Sequence, residues 1–101
     1  MGAASEAGQG VRLFRFGTES ESVEKLATGA ANAERAGYPH GVSVTTRVPT
    51  QTTASSAARE VVEQHFPVVR TGSTPGHHTV VLPKPITQEI ADLFNRLFGR
   101  P

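Results

Sequence analysis

Histidines are the side chains of this 101-residue chain best suited to acid–base chemistry near neutral pH. His40 lies within the glycine-bounded residues 37–41, and His77 and His78 follow a turn rich in glycine and proline. Each of the three is predicted at a junction between a loop and a strand, where a rigid scaffold presents reactive groups to solvent. Because neighbouring strand residues point to opposite faces, only one of His77 and His78 can face a given site. His65 is predicted at the edge of an apolar helical stripe, as a partly buried structural ring.

Metal-independent cleavage of RNA is the chemistry that these residue types favour. One imidazole takes the proton of a 2′-hydroxyl, a second group protonates the leaving oxygen, and a cation stabilises the phosphorane. The predicted catalytic residues are His40, His77, His78 and Lys84, and the predicted substrate-binding residues are Arg15, Arg47, Arg70 and Thr71. The ribonuclease hypothesis requires His40, one residue of the His77/His78 pair, and Lys84 or an arginine to meet in one cleft. The alternative for Arg47 and Arg70 is the solvated face of a strand.

Several other chemistries find no support in the sequence. The absence of cysteine excludes disulfides, thiol nucleophiles and cysteine-based zinc sites. Adjacent histidines on a strand lack chelating geometry, and Glu89 and Asp92 lie on a predicted helix without a histidine partner, so no metal is expected. Neither a nucleophile-elbow serine motif nor a glycine-rich nucleotide loop is present, and no cofactor is expected.

Composition and charge limit the partners and the location. The formal net charge is +1 and the basic residues are scattered from Arg12 to Arg100, so bulk charge does not drive nucleic-acid binding. No apolar stretch approaches the roughly 18 residues of a membrane helix, and no signal peptide is visible. We expect a soluble monomer that acts in the cytoplasm and could be delivered as part of a longer secreted chain. Residues 1–10 are predicted to be a flexible lead or linker, and residues 11–100 a single globular domain.

Periodicity predicts seven elements in the order β-α-β-α-β-β-α. The first strand covers residues 11–16, and a helix follows, with Thr18 as its N-cap and Gly37 as its stop. The second strand alternates from Val42 to Val48, and a second helical stripe extends from Ala54 to His65. Residues 68–71 and 77–82 form a hairpin around the turn at 72–76, and Thr87 caps a last amphipathic helix.

The predicted fold class is α/β, with α+β as the alternative. It consists of a four-stranded mixed sheet with three helices, because a helix between two strands favours at least one parallel pair. The same order is found in the thioredoxin and glutaredoxin arrangement, and Pro67 precedes a strand as a proline does there. The resemblance is one of topology alone, since no cysteine follows the first strand.

Three segments together resemble the small C-terminal toxin domains of bacterial polymorphic toxin systems: residues 13–17 (LFRFG), 40–45 (HGVSVT) and 76–83 (GHHTVVLP). Many such domains are ribonucleases or ADP-ribosyltransferases, so the resemblance implies an RNA substrate and a cognate immunity protein. In the transferase alternative, Arg15 binds an NAD phosphate and Ser43 is a structural serine near the nicotinamide pocket. That alternative also requires a catalytic glutamate on one of the last strands, and the sequence shows none there. The main alternative to the ribonuclease is a non-catalytic protein-interaction module, in which the histidines lie far apart, and the transferase is the third possibility.

Overall fold

The computed structural model describes residues 11–16, 20–49 and 54–98. The predicted lead, residues 1–10, lies outside these ranges. The described residues form five strands and three helices in the order β-α-β-β-α-β-β-α. The elements are β1 (Arg12–Phe16), α1 (Val23–Arg35), β2 (Gly41–Thr45), β3 (Ala54–Ala58), α2 (Arg59–Glu63), β4 (Val68–Arg70), β5 (His77–Val81) and α3 (Gln88–Leu97).

The strands form one sheet in the order β3-β1-β2-β5-β4, and every neighbouring pair is antiparallel. The protein is therefore a small α+β domain with three helices, and the predicted hairpin between β4 and β5 is confirmed. The four-stranded mixed sheet and the thioredoxin-like strand order are wrong. An additional strand, β3, joins the sheet beside β1, and no parallel pair occurs among the described strands.

The composition of β3 explains why its sequence predicts the start of a helix instead. Ala54, Ala57 and Ala58 fit a helical stripe, and alanine and serine have little intrinsic preference for strands. Five consecutive pairs with β1 nevertheless hold the segment extended. The helix that follows spans only Arg59–Glu63, and His65 lies beyond it on the exposed surface rather than partly buried.

Side-chain caps define where the two longer helices begin. The Ser22 hydroxyl accepts a hydrogen bond from the Lys25 amide at 3.1 Å, so α1 begins after Ser22. The predicted cap, Thr18, lies outside the described residues. The Thr87 cap of α3 is confirmed, because its hydroxyl accepts from the Ile90 amide at 3.3 Å. No helix in the described part of the chain is long and apolar enough to cross a membrane.

The strand registers divide the sheet into two faces. Cross-strand partners share a face, and successive residues alternate between faces. One face enters the core, where the α3 residue Phe94 packs against it. We call the opposite side the open face, because most of its side chains are exposed or half-buried. The open face comprises Arg12, Phe14, Phe16, Gly41, Ser43, Thr45, Ala54, Ser56, Ala58, Val69, His77, Thr79 and Val81.

Candidate functional site

The open face carries two rows of aligned side chains that cross the strands. The first row consists of Ser56, Phe14, Thr45 and His77. The second row consists of Ala54, Phe16, Ser43, Thr79 and Val69. Because strands lie about 4.8 Å apart, each row extends over roughly 15–20 Å. The face therefore presents aromatic, hydroxyl and imidazole groups side by side.

His77 is the best-positioned imidazole on the open face. Its Nδ1 lies 3.0 Å from the carbonyl oxygen of Thr71 and 2.9 Å from the hydroxyl of the same residue. A carbonyl oxygen only accepts, so Nδ1 carries a hydrogen, and in the neutral tautomer with this hydrogen the free lone pair is on Nε2. The Thr71 hydroxyl lies 2.8 Å from the Thr79 hydroxyl, and Thr79 is 1% exposed. The Tyr38 ring, 5.7 Å from the imidazole between centroids, covers the other side.

Two arginines lie at the same end of the sheet as His77. Arg12 on β1 donates from Nε and Nη2 to the Ser56 hydroxyl on β3 at 3.2 and 3.1 Å, and Arg47 follows the end of β2. The turn before His77 packs against the same segment, since a Cβ at Gly76 would come within 3.0 Å of Arg47 Cγ. No carboxylate in the described ranges forms an ion pair with either arginine. We call this arrangement of Arg12, Arg47 and His77 the basic end.

The opposite end of β5 holds two other predicted catalytic residues. His40 Nδ1 donates to the Leu82 carbonyl at 3.0 Å, and Lys84 Nζ donates to both Glu34 carboxylate oxygens at 2.8 and 3.0 Å. The hydrogen bond from Lys84, supported by the charges of Lys84 and His40, lowers the pKa of Glu34. We call Glu34, His40 and Lys84 the balanced end. Leu82 lies five residue steps after His77, just beyond the end of β5, which corresponds to about 17 Å of extended chain.

The remaining predicted residues face the core or its margin. His78 is 8% exposed, and its Nδ1 donates to the Gly76 carbonyl at 2.8 Å. Arg70 pairs with His78 across the two strands and is exposed on the edge strand β4. Arg15 is 5% exposed, forms a 3.1 Å ion pair with Glu21, and lies over the Phe94 ring. Arg15 and His78 therefore lie in structural positions.

Three of the eight predicted site residues lie in the region of the basic end: His77 and Thr71 are in hydrogen-bond contact, and Arg47 lies beside Gly76, which precedes His77. The cleft that the ribonuclease hypothesis requires, with His40 and Lys84 beside a strand histidine, is not formed. Sequence reasoning missed the aromatic residues of the face, Phe14 and Phe16. Their alternation in β1 is a readable signal, but the sequence does not show which side of that strand faces solvent.

A cleft of about 490 Å³ opens beside the second row. Its walls are the inner side of α1, the end of β1 and the start of β2. Phe16, Tyr38 and Ser43 belong to the cleft wall and also lie on or over the open face. Arg15, Leu26 and Val42 line the cleft from the core-facing side, so the cleft lies between α1 and the sheet and has its edge at Phe16 and Ser43.

No group of three histidine, aspartate or glutamate residues in the described part of the chain could hold a metal ion. No family model, curated protein or solved structure matches the chain. The geometry and charge of the open face are accordingly the grounds on which a function can be inferred.

Proposed function

We propose that the domain binds single-stranded nucleic acid, RNA in the first instance, across the open face. The observation that carries the proposal is the segregation of charge. The five strands contain arginines and histidines but no aspartate or glutamate, whereas the acidic side chains of the described ranges lie on the helices and at Glu21. The open face thus carries the cation of Arg12, with Arg47 just beyond β2, and no carboxylate from the strands opposes them.

The aromatic side chains supply the second half of such a site. Phe16 is 63% exposed, Phe14 lies next to it on the same face of β1, and Tyr38 and His77 present rings two strands away. Aromatic rings stack on nucleobases with a contribution of about 1–3 kcal/mol per base, and arginines beside them bind phosphates. Only an unpaired strand exposes its bases to such a surface.

Fluorescence anisotropy with a labelled 12-nucleotide unstructured RNA at low salt tests the binding proposal. Phe16→Ala removes an exposed ring that supports no core contact, so we expect folding to persist and affinity to fall fivefold or more. Val48→Ala is the matched control, because Val48 is an exposed apolar residue that follows β2 outside both rows. Equal affinities for wild type and Phe16→Ala would contradict the proposal.

The second candidate function is the metal-independent ribonuclease of a toxin-type domain. The observation that favours it is the anchoring of His77 through Nδ1, which leaves Nε2 as a base. In this proposal Nε2 takes the proton of a 2′-hydroxyl, the 2′-oxygen attacks phosphorus, and the bond to the 5′-oxygen breaks. The leaving oxygen takes a proton from water, Arg47 stabilises the phosphorane, and the product is a 2′,3′-cyclic phosphate. The ADP-ribosyltransferase alternative is not favoured. It would use Arg15 to bind an NAD phosphate, but Arg15 is buried and forms an ion pair with Glu21.

Induced expression in a bacterial host, followed by total RNA on a gel, separates the two candidates. A ribonuclease arrests growth and cleaves RNA, and His77→Ala abolishes cleavage while His40→Ala and His78→Ala retain it. The purified protein should cleave equally well in the presence of a metal chelator. Intact RNA and normal growth at good expression would leave binding without catalysis and remove the toxin proposal, including its immunity partner.

A further inference from the structure

Strands β1 and β2 separate after a single pair. Phe14 pairs with Thr45, but the ladder does not extend to Phe16 and Ser43, which the same register would bring together. On the other sides the pairing is continuous, with five pairs between β1 and β3 and five between β2 and β5. The sheet is therefore split between its second and third strands, at the end where the cleft lies.

The alternation of hydrogen bonds shows which main-chain groups face the split. The His40 carbonyl and the Thr46 amide bond towards β5, so the odd-numbered residues of β2, including Ser43, direct their groups towards β1. The Val11 carbonyl bonds towards β3, so Phe16 directs its groups towards β2. Amide donors and carbonyl acceptors of Phe16 and Ser43 consequently line the split, where no described strand pairs with them.

The helical wall of the cleft combines three small residues with Lys25, Leu26 and Asn32. Gly29, Ala33 and Ala36 of this wall lie opposite β2, and a Cβ at Gly29 would meet nothing within 4 Å. A glycine inside a helix costs about 1 kcal/mol relative to alanine. No close packing compensates for that cost at Gly29, whose position instead leaves the cleft wide.

We infer that the cleft accepts one nucleobase of the nucleic acid bound on the open face, an inference that rests on the proposed function. The volume of about 490 Å³ lies within the range of roughly 300–1,000 Å³ typical of small-ligand sites. Phe16 and Tyr38 supply rings at the edge of the cleft, and the main-chain groups of Phe16 and Ser43, which form no pair with a described strand across the split, supply donors and acceptors for the edge of a base. Bases of single strands are recognised in this way, by stacking and by hydrogen bonds to their edges.

Filling the cleft tests the inference. Gly29→Leu places a side chain in the open space and raises helix propensity, so the variant should fold and melt no lower than wild type. The affinity of Gly29→Leu for the 12-nucleotide RNA should be at least fivefold lower than that of wild type. The affinity of Gly29→Ala should lie between those of wild type and Gly29→Leu. Thr28→Leu is the matched control, because this exposed neighbour on α1 does not line the cleft.

Nucleoside monophosphates provide a readout that does not depend on the whole face. Titration of the four monophosphates should shift the amide resonances of Phe16, Gly29 and Ser43, and abasic ribose phosphate should leave them unchanged. If wild type and Gly29→Leu bind RNA equally and no monophosphate shifts these amides, the inference of a nucleobase site in the cleft is wrong. The proposal that RNA binds the open face is unaffected by that result. If RNA fails to bind but a monophosphate shifts them, the proposed function is wrong and the cleft is a nucleotide site. Failure of both experiments overturns both proposals.

Discussion

The two ends of β5 are built alike and differ in charge. At each end an imidazole donates from Nδ1 to a main-chain carbonyl, His77 to Thr71 and His40 to Leu82. At the balanced end the neighbouring cation, Lys84, is neutralised by Glu34. At the basic end no described carboxylate pairs with Arg12 or Arg47.

The difference indicates which end has an external partner. A lysine with both carboxylate oxygens of a glutamate within hydrogen-bond distance already has its counter-ion, whereas Arg12 and Arg47 have no carboxylate partner among the described residues. Exposed ion pairs contribute little to the stability of the fold. The difference in charge between the two ends should therefore affect the binding of charged partners more than it affects folding. His77, at the unbalanced end, is the histidine to test for a functional role.

The largest expected effect comes from neutralising the basic end. Arg12→Gln/Arg47→Gln removes two cations from the proposed phosphate track, so RNA affinity should fall at least about tenfold. The slope of log affinity against log salt should become shallower by about 1.4, two contacts at roughly 0.7 each for a single strand. Anisotropy titrations between low and moderate salt measure both quantities.

Lys84→Gln is the control for this comparison, because it removes a cation from the balanced end. It should leave the RNA affinity and the salt slope at the wild-type values. If the double arginine variant and Lys84→Gln weaken binding by similar amounts, the contrast between the two ends has no functional meaning.

An intermediate effect is expected from removing the Thr71 hydroxyl, which contacts both His77 and Thr79. Thr71→Val keeps the shape of the side chain but removes its hydroxyl. That hydroxyl lies within hydrogen-bond distance of both His77 Nδ1 and the buried Thr79 hydroxyl. Leaving the Thr79 hydroxyl without this partner should lower the free energy of unfolding by about 1–3 kcal/mol. Urea denaturation measures the loss. Thr28→Val, on the exposed side of α1, is the control. An equal change in the free energy of unfolding of both variants would show that the loss does not come from the contacts of the Thr71 hydroxyl.

The smallest effect concerns the pKa of Glu34. Its pKa is lowered in the folded protein, chiefly by the hydrogen bond from Lys84, so its contribution to stability is present above the unfolded pKa. That contribution is lost as the pH falls through the lowered, folded pKa. Lys84→Gln should therefore raise the pKa of Glu34 towards its ordinary value, as followed by NMR of the side-chain carboxyl. An unchanged pKa would show that the pair does not form in solution.

Local patterns predict the parts of the fold that depend on local physics. The apolar stripe ending in Phe94 and Phe98, the Thr87 cap and the β4–β5 hairpin follow from periodicity and turn chemistry. The opposite orientation of His77 and His78 follows from the pleat. These features require no knowledge of distant partners.

The features that depend on strand pairing could not be predicted. Ala54–Ala58 is a strand because it pairs with β1 about 40 residues away, and its small side chains carry no strand signal. The distance between His40 and His77 depends on the length of β5 between them, whereas the sequence indicates only that each lies at a loop-strand junction. The split beside Phe16 lies where the pairing of β1 with β2 ends, and the sequence of one strand alone does not show where its pairing with another strand ends.

Mapping the bound surface by NMR tests the central claim most directly. The claim is that single-stranded RNA binds the open face, so titration with the unlabelled 12-nucleotide RNA should shift amide resonances of Phe14, Phe16, Ser43, Thr45 and His77. Amides on the outer side of α3, around Asp92 and Arg96, should not move. Shifts confined to the helices, or no shifts at RNA concentrations up to the millimolar range, would contradict the claim.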